Sequence, residues 1–257
     1  MAAEPPGERE ALIASALGRE WYHTIEIAPG VRTPGLVDLR SIAPRVLPDD
    51  LSGVRALDVG TFDGFWAFEL ERRRAAEVVA ADLDSYLDTE WPPPTFARLA
   101  DELRGHHPGE RFKLAHELLG SRVRRVGSAI YDLDVERLGG PVGYAVVGAL
   151  LLHLRDPVRG LERVREVLEP GGRLVLVEPF DPWLTALRPR RPAAVLRARH
   201  TDFDWWVGNF ACLNAWLHLA GFVDPRRRAI FRLPAGRPIR QWFVAYEARA
   251  PTAGAAP

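Results

Sequence analysis

Three aspartates frame two glycines in the stretch VRALDVGTFDGFWAFELERRRAAEVVAADLD, which runs from Val54 to Asp84. Asp58 stands just before Gly60, Asp63 directly before Gly64, and Asp82 near the end of the stretch. Carboxylates accept hydrogen bonds from amines and hydroxyls and repel phosphates. A dinucleotide fingerprint, G-x-G-x-x-G, brings bare backbone up to a pyrophosphate at a helix N-terminus. Here the glycines lie four apart and bulky Phe62 stands between them. The pattern suits a ligand with an amine and no phosphate, and Asp82 is placed to accept from both hydroxyls of a ribose. S-adenosylmethionine, with its adenine, ribose diol, sulfonium and α-amino group, has that profile. A nicotinamide or flavin nucleotide does not, for want of the glycine.

The elements that must position these side chains are legible around them. Val54 to Val59 is an apolar, β-prone run, Gly60 to Gly64 a turn, and Phe65 to Arg74 has helical spacing, with Phe65, Phe68 and Leu70 apolar. Glu77 to Ala81 is a second strand that ends at Asp82. This is half of a βαβ unit, and such sheets bind ligands at the carboxyl ends of their strands. Ser128 and Ile130 follow a third strand, Ser121 to Val126, where a strand-end turn would meet an adenine. Val142 to Leu152 is a fourth strand running into a turn closed by His153, and Arg173 to Val177 is a fifth, ended by Glu178.

His153 is the first candidate for a catalytic base, because it follows a strand end and an unperturbed imidazole titrates near neutrality. A structural ring bonded to a backbone carbonyl is the alternative for that histidine. His23, in the aromatic cluster Trp21-Tyr22-His23, is the second candidate, and Tyr22 is placed to close against the cofactor. Glu178 is a candidate substrate ligand. Trp205, Trp206 and Asn209 read as an acceptor-side wall of aromatic faces and one amide.

The rest of the chain frames this unit. Met1 to Glu8 reads as a loose tail and Arg9 to Arg19 as a short amphipathic helix. Trp21 to Arg40, interrupted by Pro29-Gly30 and Pro34-Gly35, is too polar for a core strand and reads as a lid. The prolines of Ser85 to Gly109 predict a surface loop, with His106 and His107 solvated. Arg111 to Gly120 is a helix, as is the segment from Pro157 to Leu168, which Glu169-Pro-Gly-Gly172 breaks. Pro179 to Arg199 reads as irregular and arginine-rich, Phe210 to Ala220 as a helix. Arg226 to Leu233 and Gln241 to Arg249 form a terminal hairpin, and a tail follows from Ala250. The expected division is an N-terminal tail, helix and lid over 1–49, a catalytic domain over 50–250, and a disordered tail over 251–257.

Composition narrows the class. The chain has 257 residues, 47% hydrophobic and 26% charged, enough for one domain with its own core. Acidic and basic residues balance at 34 each, so no global field attracts nucleic acid. Cys212 is alone, which excludes an internal disulfide and a cysteine-based metal site, and no other metal-ligand spacing is present. No signal peptide or bilayer-length apolar run is visible, so a cytoplasmic protein with no membrane partner is expected. Oligomeric state is not readable.

Motif and order together resemble the class I S-adenosylmethionine-dependent methyltransferases. More narrowly, WYHTI, TPG, ALDVGTFDGFWAFELERRRAAEVVAADLD, LLGSRV, LLLHLRDP and WWVGNFACLNAWLHLAGF resemble the group related to the bacterial tRNA wobble-uridine carboxymethyltransferases. The resemblance implies an α/β fold: a doubly wound, Rossmann-like sheet with an N-terminal lid and a C-terminal β-hairpin that places one antiparallel strand inside it. It implies that Asp58, Gly60, Thr61 and Gly64 hold the methionyl part of S-adenosylmethionine, that Asp82 holds the ribose and Leu83 the adenine, and that Gly148 lets the cofactor approach closely. In the carboxymethyltransferases a lysine ahead of the fold holds the extra carboxylate of a carboxylated cofactor. Lys113 is the only lysine here. The expected activity is methyl transfer to a small-molecule acceptor through oxygen or nitrogen, in secondary metabolism or sugar modification. Modification of a tRNA uridine is the alternative.

Overall fold

The computed structural model describes residues 6–104, 106–197, 203–233 and 241–252. Its central sheet is built from β1 (Arg55–Val59), β2 (Glu77–Asp82), β3 (Arg124–Gly127), β4 (Val142–Gly148), β5 (Leu168–Phe180), β6 (Val223–Arg232) and β7 (Trp242–Arg249). They lie in the order 3-2-1-4-5-7-6. The first five are mutually parallel, and β7 is antiparallel to both β5 and β6. The expected hairpin is therefore inserted with its second strand against β5. Chain order reverses between β1 and β4, the switch point at which such sheets take their ligands.

The helices are α1 (Pro6–Leu17), α2 (Phe65–Arg72), α3 (Pro93–Leu103), α4 (Glu110–Leu119), α5 (Pro157–Val167) and α6 (Phe210–Leu219). Both sheet faces are covered, which explains the nearly unbroken apolar runs of the strands. On one face Ala56, Tyr144, Val146, Val175 and Val177 pack against α2 and α4. On the other, Leu57, Ala145, Val147, Leu174 and Leu176 pack against α5 and α6. The alternation along each strand assigns its side chains to the two layers.

Several expectations are corrected. Trp21 to Arg40 belongs to the core: Trp21, Ile25, Ile27 and Val37 are buried in the layer that holds α2. Its polar groups are used internally. Strand Trp21–His23 pairs with Gly35–Val37, and the Thr33 hydroxyl donates to the His23 carbonyl at 2.8 Å and accepts from the Ile25 N–H at 2.8 Å. The predicted loop after β2 contains α3, because Pro93 and Pro94 occupy a first turn where a missing N–H costs nothing. The helix ends before Glu169 to Gly172 as expected, but β5 begins at Leu168 rather than Arg173 and takes in those residues. The segment after it holds a short helix, Pro182–Leu187, and a strand, Ala194–Leu196, that pairs with Trp206–Gly208. Ala250 is buried and its N–H donates to Gly172 at 2.8 Å, so the C-terminal tail does not begin there. Helix α1 begins three residues before the expected Arg9, at Pro6. Parts of the arginine-rich run, the hairpin turn and both tails lie outside the described residues.

Candidate cofactor and acceptor site

The β1–α2 turn bends through three left-handed residues, Gly60 (φ 73°), Phe62 (φ 52°) and Gly64 (φ 97°). At Gly64 the glycine is required twice over, since a Cβ would also come within 2.4 Å of the Phe68 ring. The Gly60 N–H donates to Ala81 at 2.8 Å and fixes the turn to β2. Asp58 is buried, and its Oδ2 accepts the Ala67 N–H at 3.0 Å in the first turn of α2. Asp58 Oδ1 and the buried Thr61 hydroxyl are without hydrogen-bond partners. The two lie close enough for the hydroxyl to favour the ionised carboxyl, though they do not complete a bond. Burial pushes Asp58 up to about 7, with Thr61 and His23 holding it back.

One strand over, Asp82 accepts the Phe62 N–H at 2.6 Å and the Leu83 N–H at 2.8 Å. Burial raises this carboxyl too. The Ser128 N–H donates to the Asp82 carbonyl at 2.8 Å, so Asp82, Leu83 and Ser128 converge at the ends of β2 and β3. Ile130 does not join them: its side chain turns inward against Gly160 of α5.

The N-terminal segment meets the glycine turn at Asp63. This buried carboxylate accepts the backbone N–H groups of Tyr22, at 3.1 Å, and His23, at 2.8 Å, and also faces the His23 Nδ1. The His23 ring stacks on Phe65, 5.4 Å between centroids. The Tyr22 ring stands edge-on to His23 and Phe62. Burial pushes the Tyr22 hydroxyl up to about 12, helped by the negative charges of Asp63 and Glu178. Tyr22 and His23 thus sit directly on the turn.

At the ends of β4 and β5, Glu178 is buried and its Oε1 accepts the N–H groups of Leu150, at 2.7 Å, and Leu151, at 2.8 Å. Burial pushes it up to about 8, against those two donors. Glu178 holds the turn that carries Leu150, whose methyl carbons lie 3.1 and 3.2 Å from where a Gly60 Cβ would stand. The Trp66 indole and Val177 come close to Gly148, the indole Nε1 lying 3.0 Å and the Val177 Cβ 3.2 Å from a Cβ built there.

His153 lies in the short helical turn Leu151–His153. Its Nδ1 is 2.7 Å from the Phe203 carbonyl. A carbonyl only accepts, so Nδ1 carries the proton and Nε2 keeps its lone pair. Burial lowers this imidazole below its usual value. The carbonyl anchor is the structural alternative for His153, and in this tautomer Nε2 is the nitrogen that carries the lone pair.

The expected acceptor wall divides. Trp205 donates to the Glu90 carbonyl at 2.6 Å and lies under the Arg155 guanidinium. Trp206 points its Nε1 at the Arg155 carbonyl, 3.4 Å away. Both remain partly exposed above the His153 turn. Asn209 is fully buried and committed elsewhere. Its Oδ1 caps α6 through Cys212 at 2.8 Å and also accepts from Ala193, while Nδ2 donates to Arg188 and Arg191 at 2.9 Å. No donor or acceptor of that amide is left for a substrate.

No protein-family model matches the chain. In solved structures, the N-terminal domain of EvdMO1 with SAH bound superposes with a TM-score of 0.60 at 19% identity, covering 97% of this chain and 100% of that one. The same domain was also solved in the presence of SAH and D-fucose. A S-adenosylmethionine dependent methyltransferase from Mesorhizobium loti superposes with a TM-score of 0.51 at 16% identity, over 82% of this chain and 97% of that one. The fold is that of the class I S-adenosylmethionine-dependent methyltransferases. In sequence, this methyltransferase-fold chain is 30% identical over 191 residues to the tRNA U34 carboxymethyltransferase of Syntrophotalea carbinolica, covering 72% of the chain and 49% of the relative. It spans about half the length of the curated relatives it matches.

Two residues beside the candidate site escape a reading of the sequence. Trp66 carries the spacing of a buried helix face and no polar signal. Glu90 follows β2 in a segment expected to be loop, yet its carboxylate accepts from Tyr131, at 2.8 Å, and from the Arg155 N–H, at 3.1 Å. Among the described residues there is no cluster of three or more metal-ligating side chains, and no helix is long and apolar enough to cross a membrane.

Proposed function

We propose that the protein transfers a methyl group from S-adenosylmethionine to a small-molecule acceptor, through oxygen or nitrogen. The observation that carries this is the pair of unpartnered buried oxygens, Asp58 Oδ1 and Thr61 Oγ1, at the switch point of a class I methyltransferase sheet. Buried polar atoms are rarely left without partners, and two acceptors side by side at a strand end fit an ammonium. The residues present suit the cofactor on charge as well. Asp58, Asp63 and Glu178 are buried carboxylates gathered around the ends of β1, β4 and β5. A cationic ligand offsets the cost of ionising Asp58 and Glu178.

When bound, the cofactor supplies an electrophilic methyl on a sulfonium, so the protein's main contribution is alignment. Asp58 and Thr61 receive the amine, Asp82 the ribose hydroxyls, and Leu83 and Ser128 flank the adenine. Trp205 and Trp206 form the acceptor wall, and His153 Nε2 takes the proton from an acceptor hydroxyl or amine. The EvdMO1 domain solved in the presence of D-fucose supports a sugar-like acceptor as the first class to test.

A second reading, tRNA uridine carboxymethyl transfer, is favoured by the names of the curated relatives. A carboxylated donor would place another negative charge beside Asp58, Asp63 and Glu178, and the first lysine of the chain is Lys113. Calorimetry with S-adenosylhomocysteine tests the cofactor; absence of binding to folded protein overturns the whole reading. Radiolabelled methyl transfer to panels of hydroxyl and amine acceptors, run beside bulk tRNA, tests the acceptor. Label appearing in tRNA alone would establish the second reading.

A further inference from the structure

Among the described residues, six buried side-chain polar atoms have no hydrogen-bond partner. Arg73 Nε and Arg125 Nε belong to guanidinium groups already paired through other nitrogens, and Tyr144 lies within the sheet. The remaining three, Asp58 Oδ1, Thr61 Oγ1 and Trp66 Nε1, fall on the single β1–α2 junction. Clustering of this kind marks a ligand rather than scattered imperfection, because an unpartnered buried polar group costs free energy wherever it occurs.

The three atoms differ in chemistry. A carboxylate oxygen only accepts, an indole N–H only donates, and a hydroxyl does both. An acceptor and a donor held at one helix start complement an ammonium and a carboxylate on one carbon, the head of an α-amino acid. Trp66 is buried in the first turn of α2, edge-on to Phe65 at 5.1 Å. Its Nε1 reaches the end of β4, where the missing side chain of Gly148 leaves it room. The indole therefore stands at the switch point with its donor unspent.

Resting on the cofactor reading above, we propose that Trp66 Nε1–H binds the carboxylate of the cofactor's amino-acid end, while Asp58 and Thr61 take its amine. The glycine at 148 then serves the tryptophan rather than the cofactor directly. Trp66 is a binding residue that fixes the donor's orientation, and it discriminates ligands that carry the amino-acid end from those that lack it.

The test is calorimetry on wild type and Trp66→Phe with two ligands: S-adenosylhomocysteine, and 5′-methylthioadenosine, which keeps adenine, ribose and sulfur but lacks the amino acid. The expected result is about tenfold weaker binding of S-adenosylhomocysteine by the variant, as for loss of a hydrogen bond to a charged group, with methylthioadenosine affinity unchanged. Equal affinities for S-adenosylhomocysteine in both proteins would overturn the assignment, with a buried water as the indole's partner instead. Equal weakening for both ligands would overturn it in favour of a packing role. Should the variant not fold, the wild-type protein gives a second readout, since one of its eight indole N–H resonances must move with S-adenosylhomocysteine and stay with methylthioadenosine. Absence of that differential shift also overturns the proposal. Failure of wild type to bind either ligand would sink the cofactor reading itself, a distinguishable outcome.

Discussion

Asp63 grips His23 at two points: Oδ2 accepts its backbone N–H at 2.8 Å, and Oδ1 meets its ring nitrogen. Both side chains are almost wholly buried. The contact joins the glycine turn to a segment forty residues earlier, and the same carboxylate also holds Tyr22. Asp63→Ala leaves two backbone donors and a buried ring without their acceptor. Leaving a buried donor without its acceptor costs about 1–3 kcal/mol. Urea denaturation of the variant is expected to show a loss of that size, with weaker S-adenosylhomocysteine binding as the cover over the turn loosens. A loss under about 0.5 kcal/mol would mean that the segment is held by its apolar contacts alone.

Glu178 and Asp58 predict an unusual pH dependence. Their folded-state values, about 8 and about 7, lie above the ordinary carboxyl range. Between roughly pH 4 and 8 the folded protein therefore binds more protons than the unfolded chain, and stability falls as pH rises through this window. Glu178→Gln keeps an acceptor for the Leu150 and Leu151 N–H groups and removes the ionisation. It is expected to match or trail wild type at pH 5 and to exceed it by on the order of 1–2 kcal/mol at pH 9. Denaturation midpoints at the two pH values check this. A wild type that grows more stable from pH 5 to 8 would contradict it.

Asn209 is predicted to matter for folding and not for the ligand. Asn209→Ala removes the α6 cap and frees the carbonyls of Arg188 and Arg191. Cap loss alone costs about 1 kcal/mol, and the added buried bonds bring the expected loss to about 2–3 kcal/mol. Thermal unfolding reads the loss, and S-adenosylhomocysteine affinity should stay within about twofold of wild type. A selective fall in affinity at unchanged stability would restore Asn209 to the ligand site.

The sheet and the glycine turn were legible because local pattern determines them. Apolar runs between charged helix faces define β1, β2, β4 and β5, and only glycine or a strained residue fits the turn at Gly60 and Gly64. The failures have one cause, partners distant in sequence. Thr33 and His23 look polar, so their segment reads as a lid; folded, they bond each other, His23 also bonds Asp63, and both are buried. Asn209 looks like a substrate amide because its partners, Arg188 and Arg191, lie on a stretch with no strong periodicity. Pro93 and Pro94 signal a break, yet the half-buried Phe96, Leu99 and Leu103 at helical spacing carry α3 beyond them. The aspartates were identifiable from type and position, whereas the role of Trp66 needed the orphaned indole nitrogen to become visible.

His153 is the residue on which turnover is expected to depend. The Phe203 carbonyl fixes its tautomer, burial keeps the ring neutral at physiological pH, and Nε2 is left basic. Because the imidazole lies below its ordinary value, the acid limb of the rate profile should fall below pH 6.5, the unperturbed value for histidine. His153→Gln should lower kcat by about a hundredfold or more with any acceptor that turns over, as expected for loss of a general base. Its S-adenosylhomocysteine affinity should be unchanged, since the ring touches no group assigned to the cofactor, and the acid limb should vanish with the imidazole. Steady-state kinetics from pH 5 to 9, run beside calorimetry, separate the cases. If kcat is unaffected, the base is elsewhere, with His23 the next residue to test; if kcat and affinity fall together, His153 supports the turn that carries it rather than the chemistry.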